Sequence, residues 1–490
     1  MVALLNMSPR REPCIDLAIE RALRVAKRAS HRAYLRVYLD TVDLCFLRYL
    51  ELDTLASEQA MAWADGKEDR SFVAIGVEAS SPIYSTIRFA RAGIHCLEVC
   101  EQSIEVELET GEFPAETMPV AVGGFSFAPR TESADEIWDG WGDGMFWVPT
   151  FLFQRYGQKR RVCITQVVQP HDDSQDLEER IAEKLARLQE LEVLGSEREA
   201  LVPAGLSLGK ALADEPAARD GWCEKVSQVR QSIADGHVDK VVLARTRAFQ
   251  APIGQTFSPT RTLERLRERY HDCKVFMVRG PDGACFVGAT PELFVRLDGQ
   301  SVETVSLAGT ARRGSTDEQD SHLGQALLDS KKDRYEHQVV THAICSALAP
   351  VTSQLDVNDE PHLLRLNNVQ HLETRISAKL DRPRTIMELL SRLHPTPAVG
   401  GEPREAALDW IAANEELDRG WYAGLVGWVG AGGEGLFAVA IRSAVLRGDR
   451  AWAFAGAGIV EDSDPVSEWD ETTIKLEAIG KNLVMDEMTP

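Results

Sequence analysis

The sequence predicts an α+β protein with large antiparallel sheets, and three observations predict it. Apolar and β-branched runs of strand length recur along most of the chain, short turn segments join them as in hairpins, and helix-patterned stretches interrupt them. At 490 residues and 44% hydrophobic content the chain can bury a large core, in two to three units or in one unusually large domain.

In chain order, residues 1–60 read as a variable N-terminal segment. Its basic amphipathic stretch (Arg21, Arg24, Lys27, Arg28, Arg32, Arg36) reads as a solvated helix face, with a partner-binding face as the alternative. Strand patterning begins near residue 71 with SFVAIGV, IEVELE, VAVGGFSF and then RVCITQVV. Residues 177–200 are charged, rich in helix formers and apolar at helical spacing, which suits an exposed helix bridging two halves, with a seam near residue 190. Beyond it follow a helix over 218–235, a strand over 240–249, a helix over 259–269, strands KVFMVRG and CFVGATPELFVRLDG, and a helix over 318–349. The last third reads as helices TIMELLSRL and REAALDWIAAN, strands around WYAGLVGWV, GLFAVAIRSAVL and AWAFAGAGIV, and a closing helix over 466–484.

The balance of 54 Lys+Arg against 76 Asp+Glu gives a net charge of -22, which repels nucleic acid and anionic membranes. An anionic small-molecule ligand would meet the same field, so its site must supply local cations or a metal. The nine cysteines are scattered. Cys96 and Cys100 form only a CxxxC with no second cluster, so reduced thiols are expected and a structural zinc is not. The N-terminus is too weakly apolar for a secretory signal and no run reaches the ~18 apolar residues a membrane helix needs, so the expected address is the cytoplasm. The string Gly430 to Gly435 fits GxGxxG, but it lies between two apolar strand runs and reads as a hairpin turn. Neither a GxSxG elbow nor an HExxH metal pattern occurs.

What remains is a set of charged residues where apolar patterning dominates. Lys240 opens VDKVVLARTRAF, where a lone lysine could simply snorkel at a strand edge. Glu292, in GATPELFV, could be a turn residue. Asp333 and Glu336 lie in SKKDRYEHQVVTHAICSAL, and Glu336 falls on the stripe shared by Val340 and Ala343, the buried side of a helix. Glu468, Glu471 and Lys475 recur at three- and four-residue steps on one helical face, a pattern that also describes a surface ion-pair ladder.

Taken together the segments DKVVLAR, GATPELF, SLAGTARRG, KKDRYEH, VQHLETRI, HPTPAVGGEP, WYAGLVGW, FAVAIRSA and AGAGIVEDSDPVSEWDET resemble the chorismate-utilising enzymes, the family of isochorismate synthase, salicylate synthase and the large subunit of anthranilate synthase. A looser echo in AWADGKEDRSFVAIG and GGFSFAPRTESADEIWDGWGDGMFWVP extends the resemblance over about residues 60–485. It implies a single large domain of two stacked, mainly antiparallel sheets surrounded by helices. The seam near 190 then ceases to be a domain boundary: 61–490 becomes one chorismate-binding catalytic domain, with its motifs in 190–485.

The resemblance also implies roles. Water adds at C2 of the ring while hydroxyl leaves from C4, with Lys240 matching the water-activating base and Glu292 the general acid. Lys240 must then be neutral to take a proton, and Glu292 must stay protonated, which asks for an apolar pocket such as Leu293 and Phe294 could help build. Glu336 and Glu471 match magnesium ligands, with Asp333 and Glu468 three residues earlier on their helices as direct or water-mediated partners; hard carboxylate oxygens suit Mg2+. Lys475, Gly309, Thr310 and the backbone around Gly456 and Gly458 match a clamp on the ring carboxylate. Tyr422 and Arg442, read as lying on facing strands, match the pair that grips the enolpyruvyl carboxylate, and His371 matches a residue near the ring.

Within the family, Lys at 240 fits members that use water, where amine-adding members carry Gln and work with a glutamine amidotransferase. Ala398 stands where members that eliminate pyruvate carry Thr. The expectation is therefore an isomerase giving isochorismate, with Mg2+ as cofactor, chorismate as substrate, no amidotransferase subunit, and a monomeric or homodimeric state. Salicylate synthesis and non-catalytic chorismate binding are the alternatives.

Overall fold

Alternation along the strands decides the layering. In strand Lys274–Arg279, Phe276 and Val278 enter one apolar core while Val275 and Met277 enter another, so this sheet is covered on both faces. The computed structural model describes residues 12–41, 46–108, 119–129, 136–197, 208–212 and 217–487. Among them the strands form a 13-stranded sheet, a 10-stranded sheet and a separate two-stranded pair. The strand pairings are antiparallel apart from Ala33–Asp40 with Ser103–Leu108. The inner core holds fully buried Trp138, Trp141, Trp147 and Trp421 among Phe125, Phe146 and Phe437 of the smaller sheet and Phe276, Phe286 and Phe454 of the larger. Helices Glu12–Ala29, Ser174–Glu197, Pro259–Arg269 and Pro465–Gly480 contribute to the outer core of the large sheet.

Most elements fall close to the sequence expectation, with instructive differences. The basic stretch divides: Arg21, Arg24, Lys27 and Arg28 lie on the exposed side of helix Glu12–Ala29. Arg36 instead sits in strand Ala33–Asp40, is 2% exposed and pairs with Glu105 at 2.7 Å. That strand is hydrogen-bonded to Lys159–Val168 inside the large sheet, so the boundary drawn at residue 60 has no counterpart in the strand pairing. The stretch 318–349 is two helices, Asp317–Asp329 and Lys331–Leu348, because extended Ser330 caps the second by accepting from Asp333 N. Helix Ser174–Glu197 buries Leu177, Ile181, Leu188 and Leu191, so it packs on the sheet and does not bridge halves. Gly430 to Gly435 form the hairpin turn, with Gly433 at φ +81°.

Two chain crossings between the sheets matter most. CFVGATPELFVRLDG is not one strand: Cys285–Thr290 belongs to the large sheet, Leu293–Asp298 to the smaller, and Pro291-Glu292 span the gap. In GLFAVAIRSAVL, Gly435–Val439 lies in the smaller sheet, Ser443–Arg447 in the larger, and Ala440 to Arg442 cross back. The crossings are hydrogen-bonded to strands that flank each other, Val439 N to Glu292 O and Ala289 N to Arg442 O, both at 3.2 Å. Among the described residues no helix is long and apolar enough to cross a membrane.

Candidate active site

A cleft of about 720 Å³ opens where the crossings meet. The expected site residues other than Lys240, Asp333 and Glu468 all line it: Glu292 and Arg442 from the crossings, Gly309 and Thr310 from strand Ser301–Arg312, His371 from Val369–Leu380, Glu336 from helix Lys331–Leu348. Ala398 and Tyr422 come from loops, Gly456 and Gly458 from strand Arg450–Ile459, and Glu471 and Lys475 from the last helix.

Lys240 stands directly behind the wall. It is 0% exposed, and its Nζ lies 2.9 Å from Glu336 Oε1. Gly458 is what lets them meet, because a Cβ there would lie 2.3 Å from Glu336 Oε1 and 2.8 Å from Lys240 Cε. Burial pushes the Glu336 carboxyl up, but the attraction of Lys240 and then Lys332 and Lys475 outweighs it, so Glu336 is held below the usual range. The snorkelling reading of Lys240 therefore fails: its amine is inside the protein.

Glu292 behaves oppositely. It is 5% exposed, and burial pushes its carboxyl up to about 8 despite Lys240, Lys475 and Arg442 nearby. It is thus protonated at neutral pH. Its apolar surroundings differ from the expectation. Phe294 packs on His394 at 5.9 Å and Leu293 against the inner core, while Leu307, Ile441 and Phe454 line the cleft.

The carboxylates of the two helices each have a partner. Glu468 is 2% exposed and meets Lys332 at 2.6 Å; Glu471 meets Lys475 at 2.5 Å; Asp333 accepts from the Ser330 hydroxyl in a very short contact. The last helix is therefore no surface ladder: Lys475 reaches Gly456 O at 2.9 Å. Burial first, then neighbouring carboxylates, push Asp333 and Glu468 above the usual range. Among the described residues no three His, Cys, Asp or Glu side chains are gathered as a ready ligand set.

On the opposite wall a β-bulge between Ala308 and Thr310 puts Gly309 at φ +74°, where glycine is favoured, and turns its carbonyl to His371. His371 Nδ1 lies 3.2 Å from Gly309 O and 3.1 Å from Thr310 Oγ1, while Arg442 Nη2 lies 3.1 Å from His371 Nε2. Burial, with Arg442 and Lys475, holds His371 well below the usual imidazole range. A neutral ring donating from Nδ1 and accepting at Nε2 satisfies all three contacts. Arg442 Nη1 is buried without a partner, so a donor remains for a ligand.

Tyr422 and Arg442 share the cleft but not as residues of facing strands. Tyr422 lies in the turn before Leu425–Val429, its ring stacked on Phe454 at 5.2 Å, and Arg442 lies on a crossing at φ +52°. Ala423, beside Tyr422, also has positive φ, +59°. Left-handed conformations at two non-glycine residues lining one cleft mark local strain held by the surrounding fold. Sequence reasoning missed Lys332 and Arg419. The first adjoined a residue already singled out; the second carried an i,i+4 charge signal with Glu415.

A two-sheet α+β fold with an acid-, lysine- and arginine-lined cleft at its crossings defines a class. The chain belongs to the chorismate binding enzyme family, whose sequence pattern it matches over residues 19–484. It is 42% identical over 365 residues to the salicylate biosynthesis isochorismate synthase of Pseudomonas aeruginosa, covering 74% of each chain. To the isochorismate synthase MenF of Bacillus subtilis it is 34% identical over 430 residues, 84% of this chain and 85% of that one. The solved menaquinone-specific isochorismate synthase of Escherichia coli superposes with a TM-score of 0.71 at 25% identity, covering 96% of this chain and all (100%) of that one.

Proposed function

We propose that this protein is an isochorismate synthase, an isomerase that converts chorismate to isochorismate. The observation that carries the reading is Glu292: a carboxyl at the floor of the cleft, enclosed at a sheet crossing and held protonated by burial. Its partner in the reaction is Lys240. Lys240 Nζ, beside Glu336, takes a proton from water as the new oxygen bond forms at C2. The ring double bonds shift, the C4–oxygen bond breaks, and Glu292 gives its proton to the departing hydroxyl, which leaves as water. The two protons exchange back through solvent, so the reaction is a net isomerisation.

Arg442, its Nη2 on His371 and its Nη1 free, supports binding of the enolpyruvyl carboxylate, with the Tyr422 ring beside it. Lys475, Gly309, Thr310, Gly456 and Gly458 suit the ring carboxylate. Burial first and neighbouring carboxylates second raise the Asp333 and Glu468 carboxyls, and the hard oxygens of this acidic group fit a divalent cation. Glu336 and Glu471, which line the cleft, would hold Mg2+, with Asp333 and Glu468 in support. When bound, Mg2+ supplies positive charge against the ring carboxylate.

Ala398 presents a methyl group to the cleft and no hydroxyl, which favours release of isochorismate over pyruvate loss. Incubation of the purified protein with chorismate and Mg2+, without ammonia, is expected to give isochorismate by chromatography, and chelation is expected to stop it. Salicylate and pyruvate as main products would reverse the Ala398 argument; binding without turnover would reduce the protein to a chorismate binder. Lys240→Ala is expected to abolish turnover while calorimetry still detects chorismate.

A further inference from the structure

Arg419 lines the cleft and takes no part in the proton transfers. Its side chain and that of Glu415 are each only 3% exposed, and they pair through Nε to Oε1 at 2.5 Å and Nη2 to Oε2 at 2.7 Å. The rest of the guanidinium is spent on backbone. Nη1 donates to Val399 O at 2.9 Å and Nη2 to Val242 O at 2.7 Å. Glu415 Oε2 in turn accepts from Ala244 N at 3.0 Å, and the Phe127 ring lies 4.3 Å under the guanidinium. Arg419 O accepts from Tyr422 N at 2.8 Å.

One residue therefore joins three walls: the strand that begins at Lys240, the loop that carries Ala398 and Val399, and the turn that carries Tyr422. A planar, forked cation is needed for this. A lysine ammonium is a single point and cannot hold a carboxylate and two carbonyls on separate segments. Replacing a whole buried ion pair by apolar residues is often neutral in stability, so stability alone is weak ground for keeping one here. Its geometry, however, fixes how far the Ala398 wall stands from the Lys240 strand.

We propose that Arg419, with Glu415, is a positioning residue that sets the width of the cleft between the Ala398–Val399 loop and the Lys240 strand, and thereby keeps the ring placed for release of isochorismate and not for loss of pyruvate. This rests on the isochorismate synthase reading above. Beside the clamp, the end of the loop is tied to the strand by Val242 N to Gly400 O at 2.8 Å, Asp239 N to Glu402 O at 2.7 Å and the pairing of Lys240 with Glu402 and Val241 with Gly401, but these bonds begin at Gly400 and leave Ala398 and Val399 to the clamp.

The test compares Arg419→Met, Arg419→Lys and Glu415→Gln with the parent, measuring kcat, KM, melting temperature and the ratio of pyruvate to isochorismate from chorismate with Mg2+. Arg419→Met is expected to raise KM about tenfold and the pyruvate fraction several-fold, since small misplacements cost large factors in reactivity. Arg419→Lys should not restore the parental ratio. Glu415→Gln, which keeps the shape and one acceptor, should move the ratio the same way by less, and it decides the matter if the Met variant fails to fold. Folded variants with a parental product ratio and KM, whatever their kcat or melting temperature, overturn the proposal. A parent that makes no isochorismate overturns the functional reading itself.

Discussion

Gly458→Ala adds one methyl group at the point where Lys240 and Glu336 meet. The new Cβ would fall 2.3 Å from Glu336 Oε1 and 2.8 Å from Lys240 Cε. An ordinary contact needs roughly 1 Å more, so the carboxylate, the lysine or the strand must move by about that much. The lysine has no open side to move to, being 0% exposed, and strand Arg450–Ile459 is pinned by pairing Gly458 with Val242. Gly458 itself is not in the left-handed region, so the substitution tests sterics and not backbone strain. Overpacking of this kind costs about 1–3 kcal/mol of stability. A displacement of about 1 Å at a proton-transfer residue costs about 100-fold in rate. Initial rates of isochorismate formation and thermal melting measure the two effects separately. Gly221→Ala serves as control: it lies in helix Ala218–Ala234 with nothing but its own helix backbone and chain neighbours within 4 Å of where its methyl would stand, and should keep full activity with a gain of up to about 1 kcal/mol. A Gly458→Ala protein with parental rates would refute the view that Lys240 must sit against Glu336 at this spacing.

Other outcomes follow from the same geometry. Because burial raises Glu292 from 4.5 to about 8, the folded protein keeps a proton that the unfolded chain loses. Stability contributed by this group is therefore highest at low pH and falls as pH rises from about 4.5 to 8. Glu292→Gln should remove that slope, so its melting temperature should gain on the parent as pH rises, while turnover collapses; a gap that does not widen with pH would count against the assignment. In the parent, kcat should decline as pH passes about 8, the point where Glu292 gives up its proton. His371→Phe leaves the Arg442 donor unmatched, at about 1–3 kcal/mol, so KM for chorismate should rise about tenfold with kcat less affected. Arg442→Lys should raise KM strongly, because one ammonium cannot serve His371 and a carboxylate together; unchanged KM would remove Arg442 from substrate binding.

Periodicity alone is enough to find the strands and helices around the site, and resemblance is enough to name the residues that converge on it. What the letters do not give is where the chain changes sheet. In CFVGATPELFVRLDG both halves are apolar and β-rich, and only Pro291, which has no N–H for a ladder, hints at the break. The same is true of GLFAVAIRSAVL, where nothing in the letters says that Arg442 adopts positive φ. The break at Ser330 is more legible, because Ser330 and Asp333 have the spacing of a helix cap. Arg419 is hidden for a different reason. A charged residue four places after Glu415 reads as a surface pair, and its depth comes from Phe127, Val242 and Val399, all distant in sequence.

The paired crossings also constrain how the protein can fail. Each links the two sheets, and each is hydrogen-bonded, through Glu292 O or Arg442 O, to a strand that flanks the other crossing. A strand that slipped one place would turn its side chains to the opposite face. Here such a slip in either sheet would swing Glu292 or Arg442 out of the cleft and pull on the partner crossing as well. Glu292 and Arg442 thus sit where the registers of the two sheets are tied to each other, and a shift of pairing at either crossing would disturb the cleft as well.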